Sequence, residues 1–422
     1  MMNEVIDVKS LKLRKLLFGI NLDELIILLI FTLSPVFDAM TGFLVLHGIM
    51  SEGALATPSQ VGKFLSVFLM LIKILKNGNK DTIYTIFLFS SYIIIIEFIA
   101  ILYYETPLYG LLYGFVQLYK VIYLMLCFFF LKELFIRRKI SSEELIYLII
   151  KSAIIYSMIL IGSTLLGFNS STYATGTFGT KGVFASGNGL SIYLSFSSFI
   201  AAFNYFKRGR TIKQLLAFML IWISATIVGT KASIAFLLIN TIVIFFYSKK
   251  KTRFFILLFF CLSFSFLINR FSVIFEVIIY RYKQADSLLA FLSSGRDAYR
   301  DGAFKIYNTS GIKAFRIFFG SGAFVSFRTN PADMKAFDTL ERDFYDIFFM
   351  YGINMLIIYF IYIFKYSVSG ILKKNLFFTI GFLCVAGYSL LAGHTLFNTM
   401  SGLGIVVFPL LIKYLDYDKK NN

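Results

Sequence analysis

Apolar blocks of about 20 residues recur along the chain, separated by polar connections that are basic in every second gap. A helix of that length crosses roughly 30 Å of hydrocarbon. The blocks contain no alternating strand pattern, and backbone polar groups in lipid must be satisfied within the segment, so helices are the structure that fits. The chain is therefore predicted to be an all-α polytopic membrane protein.

The pattern predicts about twelve transmembrane helices, with one large extracytoplasmic helical loop between the ninth and the tenth. The predicted spans are 25–46, 58–76, 82–104, 108–131, 144–167, 188–206, 211–229, 231–247, 253–270, 346–366, 376–394 and 400–415. This divides the chain into helices one to nine (1–270), the loop (271–345), and the last three helices with a short cytoplasmic tail (346–422).

The net charge of the 422-residue chain is +18, which in a soluble protein would favour nucleic acid as a partner. Here the basic residues lie in alternate connections such as 137–139 and 249–251, whereas 47–60 and 105–107 contain no Lys or Arg. This asymmetry predicts that both termini are cytoplasmic, and it makes a nucleic-acid partner unnecessary. The three cysteines lie in predicted spans without metal-ligand spacing, so no metal and no cofactor is predicted.

Three carboxylates cluster where the large loop enters the tenth span, namely Glu341, Asp343 and Asp346. On a helix Asp343 and Asp346 share a face, and Arg342 can pair with Asp346 at i, i+4. A carboxylate at the membrane surface can take a proton from a hydroxyl nucleophile, and Glu341 is the first candidate for that role. One alternative is structural, because the macrodipole stabilises carboxylates at a helix N-terminus. The three carboxylates could also bind a hard cation such as Mg²⁺, although nothing in the sequence requires one.

Arg296 and Arg300 lie on one predicted helical face of the large loop, with Asp297 and Asp301 beside them. Guanidinium suits phosphate because it offers fixed bidentate donors and never deprotonates. The alternative is an ion-pair ladder on a solvated helix.

Two more cations lie in connections expected on the outer side. Lys181 belongs to a glycine-rich loop, 179–188, where the backbone can approach an anion closely at a helix N-terminus. The alternative there is a turn in which Asn188 caps the helix. Lys231 lies between two spans, where a partly dehydrated cation faces a cavity or a partner unless it snorkels to the headgroups.

Four further ionisable residues fall within or at the ends of predicted spans: Asp38, Glu97, Lys120 and His394. Intramembrane charge is costly, so each is a functional hypothesis, with internal ion pairs between helices as the alternative. His394 could be a base or a donor to phosphate, but a structural hydrogen bond is the favoured interpretation.

Several segments, in order along almost the whole chain, resemble the O-antigen polymerase and ligase superfamily, specifically its Wzy-type polysaccharide polymerases. They are 34–42, 181–188, 229–233, 294–296, 319–322 and 393–397. Lys231 stands where the family usually has Arg, and Glu341 begins a stretch where the ligases place His followed by Ser or Asn. The second difference favours a polymerase over a ligase.

The resemblance implies a metal-independent glycosyltransferase of the GT-C class in the bacterial cytoplasmic membrane. Its donor would be a glycan on undecaprenyl diphosphate and its acceptor a lipid-linked repeat unit, with a flippase and a chain-length regulator as partners beside the bilayer. The implied diphosphate-binding residues are Arg296, Arg300, Lys231, Lys181, Asn188 and His394. Glu341 would activate the acceptor hydroxyl, with Asp343 and Asp346 supporting it and Arg296 counted among the catalytic residues.

Three rival functions stay open at this point. A flippase or transporter for lipid-linked oligosaccharide fits twelve spans, but it should carry charged residues along a path from both faces, whereas here they concentrate on one side. A ligase that transfers finished glycan is the enzymatic alternative. A structural assembly protein is the third.

Overall fold

The computed structural model describes most of the predicted spans and short parts of the predicted loop. The described residues are 21–51, 56–104, 108–168, 170–172, 179–209, 211–247, 253, 282–283, 300–304, 313–324, 340, 342–391 and 393–420. Arg296, Glu341 and, apart from Arg253, the ninth predicted span at 253–270 lie outside this set. The predicted amphipathic helix at 271–291 does so too, except for Tyr282 and Lys283.

The described elements are helical apart from one pair of short antiparallel strands. They are α1 (Leu22–Leu46), α2 (Pro58–Asn77), α3 (Lys80–Tyr104), α4 (Leu108–Ile136), α5 (Ser142–Leu165), β1 (Ser170–Ser171), β2 (Thr180–Gly182), α6 (Gly187–Phe203), α7 (Ile212–Val228), α8 (Lys231–Tyr247), α9 (Lys313–Phe319), α10 (Asp343–Leu372), α11 (Leu376–Leu391) and α12 (Thr399–Lys420).

Seven helices, α1 to α6 and α10, are long and apolar enough to cross a membrane, with α6 extended by a π-helical turn to Lys207. Four shorter apolar helices, α7, α8, α11 and α12, coincide with four other predicted spans. The prediction of an all-α membrane protein is therefore confirmed. The count of twelve spans and the large loop stay predictions.

Local sequence explains where several helices begin and end. Ser141 and Thr211 start α5 and α7 through capping boxes with Glu144 and Gln214. Ser186 caps α6, because its hydroxyl accepts a hydrogen bond from the N–H of Gly189 at 3.2 Å. The alternative in which Asn188 caps this helix is wrong, since Asn188 lies inside the first turn and is exposed.

The chain forms two compact units. Unit 1 comprises 1–73, 130–280 and 413–422, and unit 2 comprises 74–129 and 281–412. The boundaries of these units differ from those of the predicted division into 1–270, 271–345 and 346–422. That division describes membrane topology, and it stays a prediction.

The centre of unit 1 is α6, whose side chains are buried along almost its full length against α5, α7 and α8. Small polar residues allow this close packing: Ser191 hydrogen-bonds Thr230 at 2.7 Å, and Ser195 hydrogen-bonds Ser233 at 2.8 Å. Gly42 of α1 lies so close to the backbone of Val183 that a Cβ there would overlap the Val183 carbonyl oxygen. Two of the segments that carry the family resemblance thus meet in this unit.

In unit 2, α9 crosses α10 at a break in the longer helix. Gly352 interrupts the helical backbone of α10 with φ 77°, a conformation that favours glycine. A Cβ at Gly352 would overlap the carbonyl oxygen of Phe318, and one at Gly320 would overlap that of Met350. The two glycines therefore allow the backbones to touch, which fixes the first part of α10 against the end of α9.

Candidate functional site

Two carboxylates and an imidazole lie together at the start of α10. One ligand atom from each of Asp343, Asp346 and His394 lies within 4.8 Å of the other two. Both carboxylates have 0% exposure, and His394 is half-buried. We call these three residues the acidic–histidine cluster. The prediction that Asp343 and Asp346 share a helical face is confirmed, and His394 joins them although it lies far along the chain.

Asp343 connects the first turn of α10 to the chain that follows α11. Its Oδ2 accepts hydrogen bonds from Ser389 Oγ at 2.6 Å, Thr395 N at 2.8 Å and Leu396 N at 3.0 Å. Ser389 in turn hydrogen-bonds the hydroxyl of Tyr359. Because two of these donors are the backbone groups just after His394, Asp343 holds the imidazole-bearing segment beside α10.

Asp346 binds the backbone that leads into the helix on which it lies. Its Oδ1 accepts from the N–H of Leu340 at 2.7 Å, and its Oδ2 from the N–H of Arg342 at 3.1 Å. Arg342 is the residue before the first turn, so these bonds satisfy backbone donors at the helix N-terminus. These hydrogen bonds give Asp346 a structural contact in addition to its place in the cluster. The Arg342 side chain donates from Nε to the carbonyl of Leu391 at 3.2 Å.

Arg300 is the other described candidate from the predicted loop. Its guanidinium pairs with the neighbouring Asp301 at 2.8 Å, and the Asp301 side chain is 60% exposed. This surface pair resembles the structural alternative, although it joins adjacent residues and not residues one turn apart. The proposed partner Arg296 and the candidate base Glu341 lie outside the described residues, so their roles stay predictions.

Three candidates belong to unit 1. Lys181 Nζ donates to the carbonyl of Ala185 at 2.8 Å, which closes the turn between β2 and α6, and Asn188 is exposed on the first turn of α6. Lys231 is the half-buried first residue of α8, directly after the turn at Gly229. The strand segment and this turn touch, because Thr172 Oγ1 donates to the carbonyl of Val228 at 2.7 Å.

The intramembrane carboxylates outside the cluster have structural partners. Asp38 accepts hydrogen bonds from Lys63 Nζ at 2.8 Å and Tyr156 Oη at 2.5 Å, so the ion-pair alternative is the observed one. Glu97 accepts from the N–H of Ala323 at 2.9 Å and from Tyr351 Oη at 3.2 Å. Its contacts are hydrogen bonds, and the described residues provide no ion pair for it. Lys120 donates to Gln117 Oε1 at 3.2 Å.

Two buried polar side chains of unit 2, Ser389 and Arg316, were absent from the sequence-based predictions. Ser389 is one hydroxyl among many in the apolar helices, and nothing in its surroundings marks it as a partner of Asp343. Arg316 is 1% exposed, and its Nε donates to Ser321 Oγ at 2.5 Å. A basic residue inside the otherwise apolar stretch 314–319 was the available signal for it.

Asp343, Asp346, His394 and Arg300 belong to unit 2, whereas Lys181, Asn188 and Lys231 belong to unit 1. The structure brings the first three together in one cluster. Comparison with family models and with the curated proteins found no match to this chain. Any statement about its function therefore depends on the chemistry of its own residues.

Proposed function

We propose that the chain is a polysaccharide polymerase. It would transfer a growing glycan from undecaprenyl diphosphate to a new lipid-linked repeat unit on the outer face of a bacterial cytoplasmic membrane. The observation that carries this proposal is the acidic–histidine cluster, in which two fully buried carboxylates and an imidazole lie at the start of an apolar helix. Ionisable groups are costly in such helices, so they mark function by default, and transfer to a hydroxyl needs a group that takes its proton.

In the proposed reaction, a hydroxyl oxygen of the new repeat unit attacks the anomeric carbon of the donor glycan. The bond from that carbon to the diphosphate oxygen breaks, and undecaprenyl diphosphate leaves with the electron pair. The hydroxyl proton passes to a carboxylate, for which Glu341 is proposed. Asp346 supports this role because it binds the backbone N–H groups of Leu340 and Arg342, the two neighbours of position 341 in the sequence.

Cations are proposed to balance the charge of the diphosphate, which is a good leaving group once neutralised. The proposed residues are Arg296, Arg300, Lys181 and Lys231, with Asn188 and His394 as further donors. The half-buried place of Lys231 at the N-terminus of α8 supports its assignment, because both the side chain and the helix end attract anions there. The same proposal includes two protein partners, a flippase and a chain-length regulator.

The direct test is polymerisation of purified lipid-linked repeat units by the purified full-length chain. Glu341→Gln should slow chain growth by about 100-fold or more, as loss of a general base does. Arg296→Ala should slow it as well, while Asp81→Asn, an exposed carboxylate at the start of α3, serves as the matched control and should retain the wild-type rate. Wild-type rates in both Glu341→Gln and Arg296→Ala would remove the proposed site.

A deletion strain separates the polymerase from its rivals. Loss of a polymerase leaves single repeat units on the final acceptor, whereas loss of a ligase leaves long unattached chains. Loss of a flippase leaves neither product outside the cell. The length distribution of surface polysaccharide, measured by gel electrophoresis, therefore distinguishes the three functions, and only single units agree with the proposal.

A further inference from the structure

One oxygen of Asp343 is buried without a hydrogen-bond donor in the described part of the chain. The three hydrogen bonds that this carboxylate accepts all end on Oδ2, whereas Oδ1 is shielded from solvent and accepts none there. Leaving a buried carboxylate oxygen unsatisfied is costly, more so than for a neutral group. Its place beside a second buried carboxylate and an imidazole points to a positively charged ligand.

The donor set of the acidic–histidine cluster suits a metal ion. Ligand atoms around one ion with bonds of about 2.1 Å are roughly 3 to 4 Å apart, so small side-chain rotations would bring the three atoms, now within 4.8 Å, onto one ion. Two carboxylates with one imidazole form a mixed oxygen–nitrogen set. Such a set suits Mn²⁺ or Zn²⁺ better than Ca²⁺, which prefers oxygen ligands alone.

Hydrogen bonds from the backbone already orient both carboxylates. Asp343 accepts from the N–H groups of Thr395 and Leu396, and Asp346 accepts from those of Leu340 and Arg342. Outer contacts of this kind hold ligating carboxylates in place in metal sites. In the contacts described, Oδ1 of Asp343 keeps both of its lone pairs for a cation, and each oxygen of Asp346 accepts one hydrogen bond, which leaves it one.

We propose that Asp343, Asp346 and His394 bind one divalent transition-metal ion, Mn²⁺ or Zn²⁺. Three protein ligands leave coordination positions for water or a further ligand, as open metal sites do. The site departs from the metal-independent chemistry that the family resemblance implies. An ion held there would replace His394 as a donor to the diphosphate. Ion binding is measured without the polymerisation assay, so failure of one proposal is distinguishable from failure of the other.

The test uses the full-length chain, purified in detergent, treated with EDTA and dialysed. Mn²⁺ is titrated in, and the free ion is followed by its electron paramagnetic resonance signal. The wild-type chain should bind about one Mn²⁺, and Zn²⁺ should displace it. His394→Gln and Asp343→Asn should each weaken Mn²⁺ binding by about 100-fold or more, because each removes a direct ligand where even outer contacts cost 10- to 100-fold.

Glu97→Gln is the matched control, since Glu97 is a carboxylate of the same unit, 1% exposed and hydrogen-bonded, but outside the cluster. It should retain the wild-type affinity for Mn²⁺. Failure of the wild-type chain to bind either ion would overturn the site. Mn²⁺ binding with wild-type affinity in His394→Gln would also overturn the site. If Asp343→Asn does not fold, the test uses His394→Gln alone, because His394 is only half-buried.

Discussion

Oδ2 of Asp343 accepts a hydrogen bond from the backbone N–H of Thr395 at 2.8 Å, which ties the first residue of α10 to the residue after His394. Replacing Asp343 by Ala would leave that N–H, the N–H of Leu396 and the Ser389 hydroxyl without their acceptor. We expect the free energy of unfolding to fall by about 3 kcal/mol or more. Equilibrium unfolding in mixed detergent and SDS micelles measures it.

The control for this substitution is Asp301→Ala, because Asp301 is 60% exposed and pairs only at the surface in the contacts described. Its effect on the unfolding free energy should stay within about 1 kcal/mol. Equal losses in the two variants would contradict the anchoring role of Asp343.

The ion pair between Asp38 and Lys63 joins α1 to α2, with 7% and 14% of the two side chains exposed. Asp38→Asn would leave the Lys63 ammonium without its buried counter-charge, and we expect a loss of about 3 kcal/mol in the unfolding free energy. Combining it with Lys63→Met should recover part of that loss, because no buried charge then remains at the pair. A double-mutant cycle measures the coupling, and additive losses would disprove it.

Gly352→Ala should destabilise unit 2, since φ is 77° there and a Cβ would overlap the Phe318 carbonyl. We expect a loss of about 2 kcal/mol or more. Gly387 of α11 is the matched control, because a Cβ there meets no atom within 4 Å. Gly387→Ala should be neutral or stabilising by up to about 1 kcal/mol. Thermal unfolding compares the two, and a larger loss at Gly387 would contradict this account of the helix break.

The proposed contact of Lys231 with diphosphate predicts an effect on substrate affinity. Lys231→Ala should raise the KM for the lipid-linked donor by about 10-fold or more, while Lys231→Arg should stay close to wild type because guanidinium also binds phosphate. Lys213→Ala, an exposed cation at the start of α7, should leave KM unchanged. Steady-state polymerisation over a range of donor concentrations gives these values, and an unchanged KM in Lys231→Ala would argue against the assignment.

The predicted sidedness of the chain is tested by labelling single cysteines in intact cells. Asn188→Cys and Lys213→Cys are both exposed positions in unit 1, on connections predicted to face opposite sides. A membrane-impermeant maleimide should label position 188 and spare position 213 until the cells are opened. The reverse pattern would place the proposed chemistry on the cytoplasmic side and end the polymerase proposal.

The helical architecture was predictable because apolar length is a local property of the sequence. The glycine turn before Lys231 and the shared face of Asp343 and Asp346 were predictable for the same reason. The approach of His394 to the two carboxylates was not, because it depends on how α10 and α11 pair. The break at Gly352 was equally hidden, since one glycine inside an apolar helix indicates a break only when its packing partner is known.

The close contact of α9 and α10 at Gly320 and Gly352 affects how firmly the acidic–histidine cluster is held. Ser321 and Gly322 donate their N–H groups to the carbonyls of Phe349 and Met350, so residues 343–351 are anchored to the end of α9 and not only to the helix that continues after Gly352. Apolar helices tilt to match bilayers of different thickness, and a helix break absorbs such tilt. We therefore expect the acidic end of α10 to keep its geometry when the helix after Gly352 changes its tilt in a bilayer of different thickness.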